Sequence, residues 1–307
     1  MIIQQSKKTI RITYENGVKN EYYTHFQYPA GEIDLRLSES LLKELDYSDI
    51  LTIDLVARIR SPYDLILVKM LYSLLEVETT APRFDLNLIL PYLPYSRADR
   101  QFVKGGNFGL DDFVSLFPDY MFIKTFDKHS DVCSSTFENV PPTKLINEVI
   151  LKFLNEFGNI TTKFSILFPD KGAKDRYGSD LSSFDIPIGK AFPQYHTSVP
   201  YIFYCEKKRN VNTGKFEGFV VPPNLPDIPT IIIDDLCDGG GTFNGIAELL
   251  PDYLKDKLSL YVSHGIFSKG LDELSKNFRK IYTTNSFRTE FESHPQLEVF
   301  HVEKYLS

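Results

Sequence analysis

The feature that most constrains this chain is an aliphatic strand followed by two acids, three glycines and a helix. It is the stretch 230–250, which reads TIIIDDLCDGGGTFNGIAELL. A glycine-rich turn before a helix presents backbone N–H groups that suit a phosphate. Because no lysine follows the glycines, the stretch is not a Walker P-loop. The sequence therefore predicts a phosphate site made of backbone amides. The expected ligands are Gly239, Gly240, Gly241 and Thr242.

The two acids indicate which kind of phosphate ester the turn would hold. Asp234 and Asp235 directly follow the predicted strand 230–233. Carboxylates accept hydrogen bonds from the paired hydroxyls of a ribose. We therefore expect a sugar at the two acids and its phosphate in the glycine turn. The alternative is a structural turn in which Asp238 caps the helix.

Strands alternate with helices along the whole chain. Its 307 residues, 42% of them apolar, are enough for two hydrophobic cores. The pair Pro141-Pro142 is the best linker candidate, because two prolines fit neither a helix nor a central strand. The pattern predicts an α/β fold with two domains, 1–142 and 143–307. Each is expected to be a mainly parallel sheet flanked by helices.

Composition argues against several classes of protein. The net charge is −7 and no basic stripe is present, which argues against a nucleic-acid partner. Three isolated cysteines, Cys133, Cys205 and Cys237, lack metal-site spacing and are expected to be free thiols in a reducing cytosol. Neither a signal peptide nor a membrane span is predicted. We expect a soluble, cytoplasmic protein.

Two local predictions concern connections between strands. Asn16-Gly17 predicts a hairpin that joins strands at 10–14 and 20–24. The long segment 209–227 carries few periodic apolar residues and is predicted to be an irregular lid that closes on substrate.

Four more polar stretches follow predicted strands, where sites in open α/β sheets lie. They are PYLPYSRADRQ at 91–101, TFDKHSD at 125–131, LFPDKGAKDR at 167–176 and CEKKRN at 205–210. Taken singly, each also has a structural explanation. These explanations are a surface ion-pair turn, a satisfied strand-end histidine, a Pro-Asp turn and a solvated charge run.

Taken together, these stretches resemble the ribose-phosphate diphosphokinase (PRPP synthetase) family, which has the type I phosphoribosyltransferase fold. The family's Asp-Thr-Ala-Gly-Thr appears here as Asp-Gly-Gly-Gly-Thr at 238–242. Its Tyr-Ala-Arg-Gln-Asp-Arg, Asp-Leu-His, Pro-Asp-x-Gly-Gly-x-x-Arg and Lys-Arg-Arg motifs match the four other stretches. YPAGE at 28–32, SHG at 263–265 and TNS at 284–286 extend the match in family order.

The resemblance implies two phosphoribosyltransferase-like domains, the first for ATP and the second for ribose phosphate. It implies transfer of the terminal diphosphoryl group of ATP to the anomeric hydroxyl of ribose 5-phosphate, giving PRPP and AMP. The implied catalytic residues are Lys207 and Arg209, and the ATP-binding residues are Tyr28, Glu32, Arg97, Asp99, Arg100 and His129. The implied ribose-phosphate ligands are Asp234, Asp235, Asp238, Gly239, Gly240, Gly241 and Thr242.

The resemblance also implies a cofactor and an assembly. The cofactor is Mg²⁺, with Asp170 as the best carboxylate ligand and His129 near the metal or its water. The loop 28–32 reaches the ATP of a neighbouring subunit in the family, which implies a homo-oligomer, either a dimer or a hexamer. Ala30 replaces the family's aspartate in that loop and leaves adenine selectivity open.

Three alternatives remain at this point. Gly239 in place of threonine leaves room for a larger acceptor, and ADP-ribose would then yield an activated intermediate for NAD salvage. A phosphoribosyltransferase would not need the clusters around Arg97 and His129, which suit ATP. A non-catalytic regulatory homologue would not need to retain the cations of 205–210 together with Asp170.

Overall fold

The computed structural model describes residues 7–101, 103–118, 121–132, 137–157, 163–182, 200–209 and 216–306. The chain divides by its contacts into two units. The first unit is Met1–Val140 with the short segments Ser286–Arg288 and Val302–Ser307, and the second is Pro141–Asn285 with Thr289–His301. The predicted linker thus lies beside the division, whereas two C-terminal segments belong to the first unit.

The first unit is built on a parallel sheet in the order β1-β4-β5-β6-β7. Its strands are β1 (Lys7–Glu15), β2 (Tyr23–Gln27), β3 (Ile33–Leu37), β4 (Ile50–Arg58), β5 (Arg83–Leu90), β6 (Phe122–Phe126) and β7 (Phe137–Val140). Its helices before the division are α1 (Glu39–Leu45), α2 (Pro62–Glu78) and α3 (Gly109–Val114).

Helix α2 shows why the sequence forms this layer. Ser61 precedes it, and its side chain accepts a hydrogen bond from the N–H of Asp64, with Pro62 in the first turn. Leu67, Leu71 and other residues at helical spacing are fully buried against the sheet. The helix therefore begins at a capped turn and is held by one apolar face.

The hairpin predicted around Asn16-Gly17 is wrong. Strand β1 pairs in parallel with β4, with Ile10 opposite Ile53, and the antiparallel hairpin is formed instead by β2 and β3. The apolar side chains of β1 explain the difference, because Ile10 and Ile12 are buried in the core as only a strand within the sheet allows. The turn at Gly17 merely ends β1.

The second unit has a parallel sheet in the order β15-β14-β13-β12-β8-β9. Its strands are β8 (Ser165–Phe168), β9 (Tyr201–Tyr204), β10 (Glu206–Arg209), β11 (Phe216–Val220), β12 (Thr230–Cys237), β13 (Leu258–Gly265), β14 (Lys280–Thr284) and β15 (Leu297–Phe300). Its helices are α4 (Thr143–Asn155), α5 (Lys171–Ser182), α6 (Gly241–Leu249), α7 (Asp272–Asn277) and a 3₁₀ turn at Asp252–Lys257. The last helix, α8 (Glu303–Leu306), belongs to the first unit.

Both sheets are parallel and flanked by helices, so the predicted α/β fold class is confirmed. Strand β13 is buried along its whole length, as expected for a parallel strand covered on both faces. The described part of 209–227 is not irregular throughout, because β11 pairs with β10 as an antiparallel ribbon. Residues 210–215 of that segment lie outside the described residues. None of the described helices is long and apolar enough to cross a membrane.

The buried hydroxyl of Tyr14 yields a test of the first unit. It donates to Asp64 Oδ1 at 2.7 Å, and both residues are almost fully buried. Tyr14→Phe should lower the free energy of unfolding by about 1.5–3 kcal/mol, because a buried carboxylate loses a donor. Denaturant unfolding measures the loss.

The matched control is Tyr63→Phe. The Tyr63 hydroxyl meets His25 Nδ1 at 3.0 Å in an exposed setting, where water can replace it. That variant should cost less than about 0.5 kcal/mol. Equal losses in the two variants would contradict the role given to the Tyr14 hydrogen bond.

Candidate functional site

The polar stretches of the second unit lie at one edge of its sheet. Strands β9, β8, β12, β13 and β14 are consecutive and parallel, so their carboxyl ends meet at the same edge. The residues collected there are Lys207, Asp170, Asp234, Asp235, the glycine loop 238–242, Ser263, His264, Thr284 and Asn285. Five sequence stretches that are distant along the chain are therefore neighbours in the fold.

The acid pair lies inside a strand and not after it. Strand β12 continues to Cys237, where it is still in register with Gly265 of β13, so the predicted strand end at 233 is wrong. Asp235 is buried, and its Oδ2 lies 3.0 Å from Nη1 of Arg176 on α5. Asp234 is half-buried, and its Oδ1 accepts the N–H of Asp235 at 3.0 Å.

The two acids are therefore electrostatically different. Asp235 has a cation beside it, whereas Asp234 makes no ion pair among the described residues. Burial raises the pKa of Asp234 well above its usual range, and repulsion by Asp235 and a hydrogen bond between the two carboxyls add to the rise. A carboxyl group in this setting gains from a ligand that donates hydrogen bonds, as sugar hydroxyls do.

The glycine loop leads into α6 without a side-chain cap. Gly240 is the cap residue, with φ +77°, and no side chain bonds to the first N–H groups of the helix. Asp238 is exposed, so the alternative in which it caps the helix is wrong. A Cβ on Gly240 would lie 3.1 Å from Leu274, so both the backbone angle and the packing require glycine. The first N–H groups of α6 have no partner within the helix and can donate hydrogen bonds to an anion.

Gly239 has a different neighbour. A Cβ at this position would lie 3.2 Å from Cδ and 3.3 Å from Cε of Lys269. The space gained by losing the threonine side chain is thus filled by a lysine stem. The expectation of open space at Gly239 is wrong, whereas a Cβ at Gly241 would meet nothing within 4 Å.

Asp170 directly precedes α5, a helix that the sequence pattern did not predict. Its Oδ1 accepts the N–H of Ala173 at 2.9 Å in the first turn of α5, and its Oδ2 pairs with the ammonium of Lys207. Burial alone would raise the pKa of Asp170, but hydrogen bonds from Lys207 and from the backbone outweigh it and lower the pKa. Lys207 itself lies on β10, at the base of the β10–β11 ribbon.

Two predicted groups fall outside this description. The side chain of Arg209 and all of Cys133 lie outside the described residues, so the prediction for each stands untested.

Cys205 and Cys237 are free and buried, and burial raises the pKa of each thiol to about 12, so neither is a nucleophile at neutral pH. No cluster of three or more His, Cys, Asp or Glu side chains suited to a metal occurs in the described part of the chain.

In the first unit, the loops after β5 and β6 carry the predicted ATP ligands. Tyr95 and Asp127 have φ of +60° and +45°, in the left-handed region that other residues than glycine rarely occupy. Such strain concentrates at functional sites. Arg97 is exposed and makes no ion pair among the described residues, whereas Arg100 Nε lies 3.6 Å from Asp99 Oδ1.

The other predicted ATP ligands lie on the surface of the same unit. His129 is half-buried in the segment after β6. Tyr28 and Glu32 are exposed at the tip of the β2–β3 hairpin, where the N–H of Tyr28 donates to the carbonyl of Glu32 at 2.8 Å. The Tyr28 ring makes an edge contact with Phe26, at 5.1 Å between centroids. Their roles toward ATP remain predictions.

Known proteins with similar sequences support a single family. No protein-family model matches the chain. A ribose-phosphate pyrophosphokinase of Mycoplasmopsis pulmonis is 30% identical over 207 residues, 66% of this chain and 59% of that protein. One from Sulfolobus acidocaldarius is 26% identical over 273 residues, 85% of this chain and 83% of that protein. In sequence, the chain is similar to the ribose-phosphate pyrophosphokinase family, with low identity to each of these relatives. The predicted resemblance is therefore confirmed.

A solved structure supports the fold of this chain. The crystal structure of phosphoribosylpyrophosphate synthetase from Mycobacterium smegmatis matches it with a TM-score of 0.67 and 18% sequence identity. The match covers 91% of this chain and 86% of the other. The similarity confirms the type I phosphoribosyltransferase-like fold.

Sequence reasoning missed two cations of this candidate site. Arg176 was part of a matched stretch but was given no role, although an arginine six residues after Asp170 could have indicated a partner for the acids. Lys269 follows the matched stretch 263–265 closely, but only the fold places it at the glycine loop.

Asp234→Asn tests the electrostatics of the acid pair. A carboxyl group whose pKa is raised by folding costs stability as pH rises above its ordinary value of 3.8. Below that pH the folded and unfolded states are both protonated, and the substitution should change little. The stability gained by Asp234→Asn, measured by denaturant unfolding without ligand, should therefore grow from pH 4 towards pH 8.

The control for this test removes one exposed charge from the neighbouring loop. Asp238→Asn should give no gain that grows with pH. If Asp234→Asn behaved in the same way as Asp238→Asn, the carboxyl group of Asp234 would not be destabilised in the folded chain.

Proposed function

We propose that this chain transfers the β,γ-diphosphoryl group of ATP to the anomeric hydroxyl of a ribose phosphate, ribose 5-phosphate in the first instance, giving PRPP and AMP. The observation that carries the proposal is the junction of β12 and α6. There an acid pair and an uncapped helix start lie a few residues apart at the open edge of one sheet. The relatives that share this family carry the name ribose-phosphate pyrophosphokinase.

The second unit would hold the acceptor. Asp234 would accept hydrogen bonds from the ribose hydroxyls, and the pair Arg176–Asp235 would keep the neighbouring carboxylate in place. The phosphate would bind to N–H groups of the glycine loop and the first turn of α6, where the helix dipole favours negative charge. No cation in the loop itself is needed for this binding.

Lys207 and Arg209 would assist the transfer. Phosphoryl transfer depends on positioning and on stabilising charge at the phosphoryl oxygens, with little covalent work for the protein. Lys207 lies at the base of the ribbon and contacts Asp170, and its remaining N–H donors would contact the diphosphate. No side chain is required as a general base.

The first unit would hold ATP. Arg97 presents its guanidinium to solvent after β5, where its planar fork can bind two phosphate oxygens. Tyr28 offers an exposed ring for stacking on a base, and His129 would contact a phosphate or a metal-bound water. A role for the hairpin across subunits requires a homo-oligomer, which belongs to the proposal.

The residues fit the proposed Mg²⁺. Asp170 supplies a carboxylate at a strand end, and the ammonium of Lys207 already marks a cation position on its Oδ2. One carboxylate with water completing the shell matches the way in which proteins usually bind Mg²⁺. When bound, Mg²⁺ would neutralise charge on the phosphate oxygens.

ADP-ribose is the second candidate acceptor. It carries the same free anomeric hydroxyl, with an extended phosphate. The openness of the loop at Gly241 favours it, because a Cβ there would meet nothing within 4 Å and a larger phosphate ester has room at that point.

The assay that tests the proposal follows labelled ATP with Mg²⁺ and each acceptor in turn. AMP formed only with ribose 5-phosphate supports PRPP synthesis, and AMP formed only with ADP-ribose supports the second candidate. Purified chain that forms no AMP with either acceptor would refute both.

Arg97→Ala tests the ATP half of the site. Loss of one preorganised donor to a phosphoryl group should lower turnover roughly 100–1000-fold. The fold should be unchanged, because Arg97 is exposed and makes no ion pair among the described residues. Steady-state AMP formation measures the effect.

The matched control is Arg83→Ala. Arg83 is an exposed arginine at the amino end of the same strand, β5, far from its carboxyl end. That variant should retain wild-type turnover. Equal activity of the two variants would remove Arg97 from the proposed site.

A further inference from the structure

The side chain of Lys269 lies against the glycine loop of the proposed acceptor site. The would-be Cβ of Gly239 is 3.2 Å from Cδ and 3.3 Å from Cε of this lysine. The last two carbons of the stem therefore pass directly over Gly239. The ammonium is one bond beyond Cε, so it lies near the glycine loop.

The backbone holds Lys269 in this position. The N–H groups of Ile266 and Phe267 both donate to the carbonyl of Cys237, at 2.9 and 3.2 Å, and the N–H of Ser268 donates to the carbonyl of Asp238 at 3.1 Å. The N–H of Gly270 closes a turn onto the carbonyl of Phe267 at 2.9 Å. Lys269 thus lies in a turn whose preceding residues are hydrogen-bonded to the start of the glycine loop.

Side-chain packing reinforces the same turn. Phe267 has φ +48°, which a phenylalanine rarely adopts. Its ring lies over Gly265, where a Cβ would come within 2.3 Å of Cε2. The packing of the Phe267 ring against Gly265 therefore stabilises the unusual backbone angle of Phe267. Both features fix the path of the turn that carries Lys269.

The charge of Lys269 has no counterpart in the described residues. Lys269 is exposed and makes no ion pair or hydrogen bond there. A helix N-terminus carries partial positive charge, so a lysine beside the start of α6 is unfavourable unless an anion lies between them. An anionic ligand in the loop would resolve this repulsion.

We propose that Lys269 binds the phosphate of the acceptor together with the backbone amides of the glycine loop. The proposal rests on the function proposed above for that loop. It also assigns a reason for Gly239, because any larger residue there would push the lysine stem away. The loop would then use a lysine from the adjacent turn where a threonine hydroxyl is absent.

The primary test measures binding and not turnover. Titration calorimetry of the full chain would use ribose 5-phosphate and ADP-ribose as separate probes. Lys269→Ala should weaken binding of the true acceptor roughly 10–100-fold, as expected for the loss of one hydrogen bond from a charged donor. Lys269→Arg should restore most of the affinity. In the assay of AMP formation, KM for the acceptor should rise while kcat changes much less.

The matched control is Lys276→Ala. Lys276 is an exposed lysine on α7, in the same unit, and it pairs with Glu273. Lys276→Ala removes the same charge without altering the glycine loop, so the acceptor affinity of this variant should equal that of the wild type. A similar loss in Lys276→Ala and Lys269→Ala would mean that only net charge matters, and would overturn the proposal.

Gly239→Ala gives a second, independent variant. The φ of Gly239 is outside the left-handed region, so alanine can adopt the backbone, but its Cβ requires the lysine stem to shift by a few tenths of an ångström. Gly239→Ala should weaken acceptor binding, by less than Lys269→Ala does. In the Lys269→Ala background it should cause no further loss, because both variants act through the same interaction. Fully additive losses would contradict the coupling.

The outcomes separate this proposal from the function on which it rests. A chain that binds ribose 5-phosphate or ADP-ribose through Lys269 but forms no AMP supports the lysine and refutes the proposed reaction. Equal affinity of wild type and Lys269→Ala for both probes refutes the proposed role of Lys269, whatever the turnover. Wild type that binds neither probe also overturns it.

Discussion

The arrangement of the second unit depends on how one strand carries two adjacent carboxyl groups. Strand β12 is buried on both sides, and an acid within such a strand is costly unless a partner neutralises it. Arg176 does so for Asp235 and is supplied by α5, which begins at Lys171. The position of α5 therefore determines which acid has a cation beside it. This is why the two acids differ electrostatically. Asp234 is left as the group that a ligand can satisfy.

Hydrophobic pattern predicted the layers of the fold but not all of its pairings. Alternation of strands and helices indicated two α/β units with parallel sheets, because covered parallel strands are aliphatic throughout. The local turn signal at Gly17 was misleading for a physical reason. A turn pair defines a bend, whereas the buried side chains of Ile10 and Ile12 decide which strand becomes the neighbour, and that neighbour is β4. Long-range burial outweighed a short-range signal.

The candidate site was predictable where the chemistry is local in sequence. The acids and glycines of 234–242 are contiguous, so their joint role could be inferred before the fold was known. Two partners that arrive from other elements could not. Arg176 and Lys269 reach the edge through α5 and a turn, and their distances depend on the packing of those elements. Lys207 was named from the resemblance, but its contact with Asp170 depends on the position of the ribbon. The positive φ values of Tyr95 and Phe267 carry no sequence signal, because an aromatic residue is not a usual choice there.

The contact between Lys207 and Asp170 links two elements that are distant along the chain. One carboxylate oxygen of Asp170 accepts the N–H of Ala173 in the first turn of α5, and the other contacts the ammonium of Lys207 on β10. A single side chain therefore joins the start of a helix to the base of the β10–β11 ribbon. Any ligand that draws on the remaining lone pairs of this carboxylate would act on both elements through one residue.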